Sequence, residues 1–238
     1  MKTVAVIPAR YGSTRFPGKP LAIIKGKPMV QRVYEQCAKA KLVDKIIVAT
    51  EDKRIIDCVK SFGGEAVMTS SKHHSGTDRV IEVVKDMRCD IVVNVQGDEP
   101  FIDPLSIDKV IRPFSEDKSV QVATPAVKFK NANDVRDPNK VKVIVDKNGD
   151  AIYFSRSPIP FDGYDVKFSY LKHIGIYSFR KKFLLAFGAL KKTPLELKEK
   201  LEQLRMIENG YKIRVVLISK DSIAIDTPED IRKALAID

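Results

Sequence analysis

Blocks of apolar residues alternate with blocks of mixed polarity through the first half of the chain. Runs rich in Val, Ile and Ala predict strands over residues 3–9, 45–50, 65–70 and 90–98. Apolar residues at helical spacing predict helices over 28–41, 52–63 and about 77–87. Because the strand runs are apolar at almost every position, we expect a parallel sheet covered by helices on both faces.

The second half has more strands and fewer helices. We expect strands over 120–129, 173–179 and 211–219, a hairpin over 140–160, and helices over about 194–209 and 227–237. The hairpin turns at Asn148-Gly149, a pair that favours tight turns. Residues 1–238 are thus predicted to be a single α/β domain, mostly parallel and Rossmann-like. We expect a subunit contact in its β-rich insertion, at about 120–180.

The chain is basic, with a formal net charge of +11 over 238 residues. Such a charge makes nucleic acid the first partner to consider. The lysines are scattered among acids, however, as in LELKEKLEQLR, and the sequence has no Trp and no basic run joined to a stacking aromatic motif. We therefore predict a generally basic surface and no nucleic-acid partner.

The apolar runs and the cysteines indicate the cellular compartment of the protein. No run approaches the roughly 20 apolar residues of a membrane span, so no membrane association is expected. The apolar stretch near the N-terminus lacks a signal-peptide cleavage site and is interpreted as the first strand. Cys37, Cys58 and Cys89 are odd in number and form no CxxC pair, which is typical of a reducing cytoplasm.

Residues 9–21, ARYGSTRFPGKPL, form a basic loop directly after the first predicted strand. The Walker phosphate-binding pattern requires four residues between its glycines, then Lys and a hydroxyl residue. Here five residues separate Gly12 from Gly18, and Pro20 replaces the hydroxyl residue, so this is not a Walker loop. Either it is a solvated loop with a basic bias, or it binds an anion through three cations: Arg10, Arg15 and Lys19.

Two further loops, SSKHHSGTDR and QGDEPFI, follow the third and fourth predicted strands. Ligands of open parallel sheets bind beyond the carboxyl ends of the strands, so the three loops predict one crevice. Asp98 is either a turn acid or a ligand that holds Mg²⁺ together with nucleotide phosphates. Asp226, in IDTPED, is first interpreted as the cap of the last helix.

The segment SGTDR has a structural and a functional interpretation. Ser75 or Thr77 would cap a helix, and Gly76 would let a flat ligand approach the backbone. The adjacent His73 and His74 are interpreted as solvated loop residues.

Three polar residues in the second half are interpreted structurally from their context. His173 begins an apolar strand, so we expect it to be buried and hydrogen-bonded. The predicted helix over 194–209 has an apolar stripe formed by Leu197, Leu201 and Leu204. Glu202 and Gln203 fall off this stripe, which favours their exposure to solvent.

Taken in order, these motifs resemble those of the 3-deoxy-manno-octulosonate cytidylyltransferases, also called CMP-KDO synthetases. The resemblance runs essentially end to end and rests on IPARYGSTRFPGKPL, SGTDR, VVNVQGDEP, YFSRSPIP, HIGIYSF, LEQLR and IDTPED. The first segment is shared with wider sugar-nucleotide cytidylyltransferases, whereas NVQGDEP and HIGIYSF are more specific. The resemblance implies an α/β nucleotidyltransferase fold, usually a homodimer. It also implies that CTP and KDO react with Mg²⁺ to give CMP-KDO and diphosphate for lipopolysaccharide synthesis.

The resemblance also implies roles for individual residues. Those implied to bind the nucleotide are Pro8, Ala9, Arg10, Ser13, Arg15, Lys19, Ser75, Gly76, Arg79 and Gln96. Those implied to bind the acid sugar are Arg156, His173, Tyr177, Glu202 and Gln203. The implied catalytic residues are Arg10, Lys19, Asp98 and Asp226. Because Asp98 and Asp226 match the family's Mg²⁺ ligands, the interpretation of Asp226 changes from a cap to a ligand.

The implied reaction fits these residue types. Attack of the sugar's anomeric hydroxyl on the α-phosphorus requires positioning and charge neutralisation rather than a covalent enzyme intermediate. Mg²⁺ would lower the pKa of that hydroxyl, and no general base is evident. The alternatives are activation of a sialic-acid type of sugar, a nucleic-acid module, and an A-type glycosyltransferase. The glycosyltransferase would require a DxD motif near residue 98, which GDEP does not supply.

Overall fold

The computed structural model describes residues 1–12, 16–161 and 168–235. The chain forms two compact units, of which Met1–Asp108 and Ser222–Asp238 make the first and Lys109–Asp221 the second. The predicted β-rich insertion lies within the second unit, and the single-domain assignment stays a prediction. Within the described ranges, no helix has both the length and the apolar content needed to cross a membrane.

Strands and helices are numbered separately along the chain. The strands are β1 (Thr3–Pro8), β2 (Ile23–Ile24), β3 (Lys27–Pro28), β4 (Lys45–Thr50), β5 (Ala66–Met68), β6 (Ile91–Asn94), β7 (Val122–Lys128), β8 (Lys142–Val145), β9 (Ala151–Ser155), β10 (Leu171–His173), β11 (Tyr177–Arg180) and β12 (Arg214–Leu217). The helices are α1 (Met29–Lys39), α2 (Lys53–Ser61), α3 (Gly76–Val84), α4 (Pro104–Ile111), α5 (Pro113–Glu116), α6 (Lys181–Gly188), α7 (Pro194–Glu199), α8 (Leu204–Glu208) and α9 (Pro228–Leu235).

The first unit contains a parallel sheet in the order β5-β4-β1-β6. Its central strand, β1, is buried from Val4 to Ile7, which explains the unbroken apolar run in the sequence. Helices α1 and α3 both pack against this strand. The predicted parallel α/β arrangement is confirmed, and its strands direct their carboxyl ends to one edge.

The second unit is mostly antiparallel. Strand β7 pairs with β10, β10 with β8, and β8 with β9, all antiparallel, whereas β12 joins β7 in parallel. The predicted hairpin over 140–160 is confirmed as β8 and β9, with Gly149 at a φ of 81° in its turn. The unit also contains α6, a helix that the sequence pattern did not predict.

The single strand predicted over 173–179 is wrong, because a bulge divides it into β10 and β11. His173 faces Ala126 and Ser178 faces Ala123, so residues 174–177 lie opposite just Thr124 and Pro125. Pro125 accepts a hydrogen bond from the Ile174 amide at 3.0 Å but has no N–H to donate in return. The ladder is therefore interrupted at this proline.

The single helix predicted over 194–209 is also wrong. Helix α7 ends at Glu199; the next residue, Lys200, has a left-handed φ of 56°, and α8 begins at Leu204. A buried ion pair joins the two helices, with Arg205 Nη2 lying 2.6 Å from Glu196 Oε1. The predicted apolar stripe is broken as well, since Leu197 is exposed while Leu201 and Leu204 are buried.

Candidate functional site

A cavity of about 270 Å³ lies in the first unit, where β1, β5 and β6 end. Its lining residues are Pro8, Ala9, Arg10, Lys19, Pro20, His73, His74, Ser75, Gly76, Arg79, Gln96, Gly97, Asp98 and Asp226. The three loops predicted to converge therefore do so. Every described residue predicted to bind the nucleotide or the metal is in this set, whereas Ser13 and Arg15 lie outside the described residues.

Two glycines allow the loops of this cavity to approach the end of β1. A Cβ atom on Gly97 would lie 2.7 Å from the backbone oxygen of Pro8, closer than packed atoms tolerate. A Cβ atom on Gly76 would lie 3.2 Å from Cγ of the same proline. The close packing of the three loops therefore depends on glycine, most strictly at Gly97.

The basic loop is anchored at Tyr11 and at Gly18. The Tyr11 amide donates to Glu51 Oε1 at 3.0 Å, and the Tyr11 oxygen accepts from the Gly18 amide at 2.9 Å. Gly18 has a φ of 71°, and its backbone packs against the Tyr11 ring. The guanidinium of Arg54 covers that ring at 3.3 Å from its centroid. These contacts fix the backbone from which Lys19 extends.

Helix α3 begins at the cavity with a capping box. Ser75 Oγ accepts from the Asp78 amide at 3.1 Å, and Asp78 Oδ2 accepts from the Ser75 amide at 3.1 Å. Arg79 is buried; its guanidinium donates to Thr69 Oγ1 at 2.5 Å and forms an ion pair with Glu51 Oε2 at 2.8 Å. Since Glu51 also holds the basic loop, Arg79 ties that loop to the end of β5.

The two adjacent histidines both line the cavity. His74 is exposed, as expected of a loop residue, but His73 is partly buried and pairs with Glu82. Glu82 Oε2 also accepts from the Ser70 amide at 2.9 Å, and this bond and the His73 contact lower the pKa of Glu82. The interpretation of His73 as merely solvated is therefore wrong.

Lys19 lies between the two predicted metal ligands. Its ammonium is 2.8 Å from Asp98 Oδ2 and 3.3 Å from Asp226 Oδ1. The Ile225 amide donates to the Asp98 backbone oxygen at 2.8 Å, which holds the two distant segments together. Two carboxylates thus face one cation at the edge of the cavity.

The helix cap first assigned to Asp226 belongs to other residues. Asp230 Oδ2 accepts from the Thr227 amide at 2.8 Å and from the Thr227 hydroxyl at 2.9 Å, and Thr227 Oγ1 accepts from the Asp230 amide at 3.4 Å. Thr227 therefore caps α9, and the Asp226 carboxylate reaches Lys19 instead. The capping interpretation of Asp226 is wrong.

The residues predicted to bind the acid sugar all belong to the second unit. His173 is buried, as expected, and burial lowers its pKa to about 3. Its Nε2 lies 2.9 Å from Thr124 Oγ1, which also donates to the Ile176 oxygen at 2.7 Å. Because the hydroxyl has one proton, the contact with His173 requires a proton on Nε2.

Tyr177 and Gln203 place further polar groups in this unit. The rings of His173 and Tyr177 lie 5.4 Å apart. Burial, and then the charge of Glu202, raise the pKa of Tyr177 well above its ordinary value, so its hydroxyl stays a donor. Gln203 is buried, contrary to the expected exposure, and its Nε2 has no hydrogen-bond partner among the described residues. The break between α7 and α8 explains this error.

Arg156 is held by the backbone around it. Its Nε donates to the Glu199 oxygen at 2.8 Å, and its Nη1 donates to the Pro138 oxygen at 2.9 Å. The Arg156 oxygen accepts from the ammonium of Lys142, which is fully buried and whose pKa is lowered by that burial. Because the guanidinium bonds neutral carbonyls, these contacts orient it without neutralising its charge.

Comparison with known proteins agrees with this arrangement. A family model described as cytidylyltransferase matches residues 4–213. A 3-deoxy-manno-octulosonate cytidylyltransferase of Geobacter metallireducens is 52% identical. The alignment, 248 positions long, covers 99% of this chain and 97% of that protein. The chain belongs to the 3-deoxy-manno-octulosonate cytidylyltransferase family. A relative of the same name from Geotalea daltonii is 52% identical and covers 99% of this chain and 97% of that protein.

A solved structure supports the same family and its fold. The structure of a CMP:2-keto-3-deoxy-manno-octonic acid synthetase complexed with CTP matches with a TM-score of 0.95 at 43% identity. The match covers 100% of this chain and 98% of that one. The predicted nucleotidyltransferase fold is confirmed. As a member of the cytidylyltransferase family, the chain is a nucleotidyltransferase rather than a glycosyltransferase or a nucleic-acid module.

Most of the residues that the sequence analysis did not identify hold other side chains or loops of the site in place. Glu51 holds both Arg79 and the basic loop, and Lys142 holds Arg156, yet neither is in a segment that suggested a site. Gly97 was within QGDEPFI, but its close approach to Pro8 has no sequence signal. His73 is the exception, because its position beside SGTDR could have marked it.

Proposed function

We propose that this chain transfers the CMP group of CTP to 3-deoxy-D-manno-octulosonate (KDO), giving CMP-KDO and diphosphate for lipopolysaccharide synthesis. The observation that carries the proposal is the cation of Lys19 between Asp98 and Asp226, in a cavity at the carboxyl edge of a parallel sheet. The names of the relatives and the CTP of the solved structure support the choice of substrates.

The reaction would need positioning and charge neutralisation. The anomeric hydroxyl oxygen of KDO forms a bond to the α-phosphorus, the bond between that phosphorus and the β-phosphate oxygen breaks, and the hydroxyl proton passes to solvent. Arg10 and Lys19 line the cavity and would stabilise the charge that develops on the departing diphosphate. We assign no side chain as a general base.

Asp98 and Asp226 would hold Mg²⁺. Carboxylate oxygens are the ligands that Mg²⁺ prefers, and both side chains already bind one cation, so the donor set fits this ion. The described residues contain no group of three His, Cys, Asp or Glu side chains that could hold a metal. Phosphate oxygens and water would complete the shell, as is usual for Mg²⁺. Bound there, the ion would neutralise phosphate charge and lower the pKa of a coordinated hydroxyl.

The acid sugar would bind in the second unit. Arg156 keeps its positive charge and offers a planar donor for the sugar carboxylate. The amide nitrogen of Gln203, buried without a partner among the described residues, suits a sugar hydroxyl. Tyr177 would donate to the sugar and Glu202 would accept from it. His173 stays neutral and would complete the set without adding charge.

Two further properties belong to the proposal. Within the described residues, Cys37, Cys58 and Cys89 form no disulfide, and burial raises the pKa of Cys37 to about 12, which suits a reducing cytoplasm. We also propose a homodimer formed through the β-rich part of the second unit, where Ile152 on β9 is exposed. Sedimentation of the wild-type protein and an Ile152→Lys variant tests this contact, and an unchanged dimer in the variant would count against it.

The decisive experiment measures diphosphate release with CTP, UTP, ATP and GTP, each with KDO and with sialic acid. We expect CTP and KDO to give the highest kcat/KM, because buried polar groups left unpaired by a wrong base cost about 1–3 kcal/mol. Equal turnover with ATP would refute the nucleotide assignment. A preference for sialic acid would refute the sugar assignment and leave the cytidylyl transfer in place.

A further inference from the structure

Lys19 is the least exposed member of the ionic cluster that it forms with Asp98 and Asp226 at the cavity edge. The exposed fraction of its side chain is 14%, against 28% for Asp98 and 41% for Asp226. One ammonium thus serves as the counter-ion of both carboxylates that are proposed to hold the metal.

A divalent ion would compete with this ammonium for the same oxygen atoms. The Lys19 nitrogen is 2.8 Å from Asp98 Oδ2. A Mg²⁺ ion bound to that oxygen would lie about 2.1 Å from it, so the two cations would be within about 5 Å of each other. Two carboxylates neutralise one divalent ion, and an ammonium added beside it leaves an excess positive charge. Tight metal binding therefore requires Lys19 to move.

The backbone of Lys19 is fixed, so such a movement would be confined to its side chain. The Gly18 amide donates to the Tyr11 oxygen at 2.9 Å, and the Leu21 amide donates to the Gly18 oxygen at 2.8 Å. The flexible four-carbon stem can still redirect the ammonium within the cavity. The oxygens of a triphosphate bound there would offer it a second set of negative partners.

We propose that Lys19 is an internal counter-ion that keeps the metal affinity of the nucleotide-free enzyme low. A triphosphate would draw the ammonium away from Asp98 and Asp226 and so make them available to the metal. By thermodynamic linkage, the metal would strengthen nucleotide binding by the same factor. This inference rests on the proposed function, and it adds that metal and nucleotide bind cooperatively.

The test titrates the nucleotide-free protein with Mn²⁺. The electron paramagnetic resonance signal of the unbound ion measures how much Mn²⁺ is bound. We expect Lys19→Met, which keeps the length of the side chain and removes its charge, to bind Mn²⁺ about tenfold or more tightly than the wild type. Lys19→Arg keeps the charge and should bind as weakly as the wild type. Lys27→Met is the matched control, because Lys27 pairs with Glu35 at the surface.

Asp98→Asn added to the Lys19→Met protein should remove the gain in affinity. The proposal is overturned if Lys19→Met binds Mn²⁺ no more tightly than the wild type, or if the gain survives Asp98→Asn. Lys19→Gln offers a second neutral variant if the Met variant fails to fold, as judged by circular dichroism. The titration contains neither CTP nor sugar, so its failure would leave the proposed reaction standing. Conversely, a failed diphosphate-release assay would leave the metal result intact.

Discussion

Replacing Asp226 with Asn separates a metal-binding role from a structural one. The change keeps the shape of the side chain and removes a negative charge that lies 3.3 Å from the Lys19 ammonium. The Asp226 side chain is 41% exposed, so we expect the loss of this ion pair to cost at most about 1 kcal/mol of folding stability. The cap of α9 is untouched, because Thr227 and Asp230 form it.

The effect on turnover should be much larger. Loss of a group that stabilises transition-state charge typically lowers kcat by about 10²–10³-fold, or about 2.7–4 kcal/mol. We therefore expect Asp226→Asn to lose about a hundredfold or more in kcat, measured as diphosphate release at saturating CTP, KDO and Mg²⁺. Adding Asp98→Asn should do little further damage, because the two acids would serve one metal.

Thr227→Ala is the matched control for Asp226→Asn. It removes the hydroxyl that bonds Asp230 and should cost about 1 kcal/mol in urea unfolding, while kcat stays nearly unchanged. Two variants one residue apart should thus have similar, small effects on stability but very different effects on turnover. Near-normal turnover of Asp226→Asn at saturating Mg²⁺ would refute the metal-binding role.

Three other changes test separate parts of the structure. Gly97→Ala should cost about 1–3 kcal/mol of stability, because its Cβ would lie 2.7 Å from the Pro8 oxygen. Gly12→Ala should cost far less, because no atom of the described residues lies within 4 Å of its Cβ. Equal costs would refute the close-packing argument. Arg156→Lys should raise the KM for KDO more than that for CTP, because Lys cannot bind a carboxylate bidentately; the reverse pattern would refute the sugar assignment. Burial holds the pKa of His173 at about 3, below its unfolded value of about 6.5, so its stability contribution is lost as the pH falls. The free energy of unfolding, measured with urea, should fall by about 2 kcal/mol between pH 7 and pH 5. An equal fall in the His173→Gln variant would contradict the burial of His173 as its cause.

The first unit could be predicted well from the sequence because its signals are local. Buried parallel strands leave continuous apolar runs, and the rule that ligands bind at their carboxyl ends brings three loops together. What the residues alone left open is that Asp98 and Asp226 meet at Lys19, because this depends on the long-range hydrogen bond from the Ile225 amide to the Asp98 oxygen. The residues alone left Asp98 open and favoured a cap for Asp226, and the family resemblance corrected that interpretation.

The second unit was predicted less well because its irregularities have weaker signals. Lys200 adopts a left-handed backbone that usually belongs to Gly or Asn, so nothing in LELKEKLEQLR marks the end of a helix there. The buried pair of Glu196 and Arg205 joins the two resulting helices, and a periodicity analysis places charged residues on the solvent side. Gln203 was therefore assigned to the surface although it is buried.

The bulge opposite Pro125 has a more direct bearing on function. In a regular strand, residues 173 and 177 would lie about 13 Å apart along one face, at about 3.3 Å per residue. Their rings are instead 5.4 Å apart, because two extra residues of this segment fit opposite Thr124 and Pro125. The proline supplies no N–H to the ladder, and the Thr124 hydroxyl bonds both the Ile176 oxygen and the His173 ring. The close pairing of His173 and Tyr177 thus follows from a proline and a threonine on the neighbouring strand, which explains why HIGIYSF by itself resembled an ordinary strand.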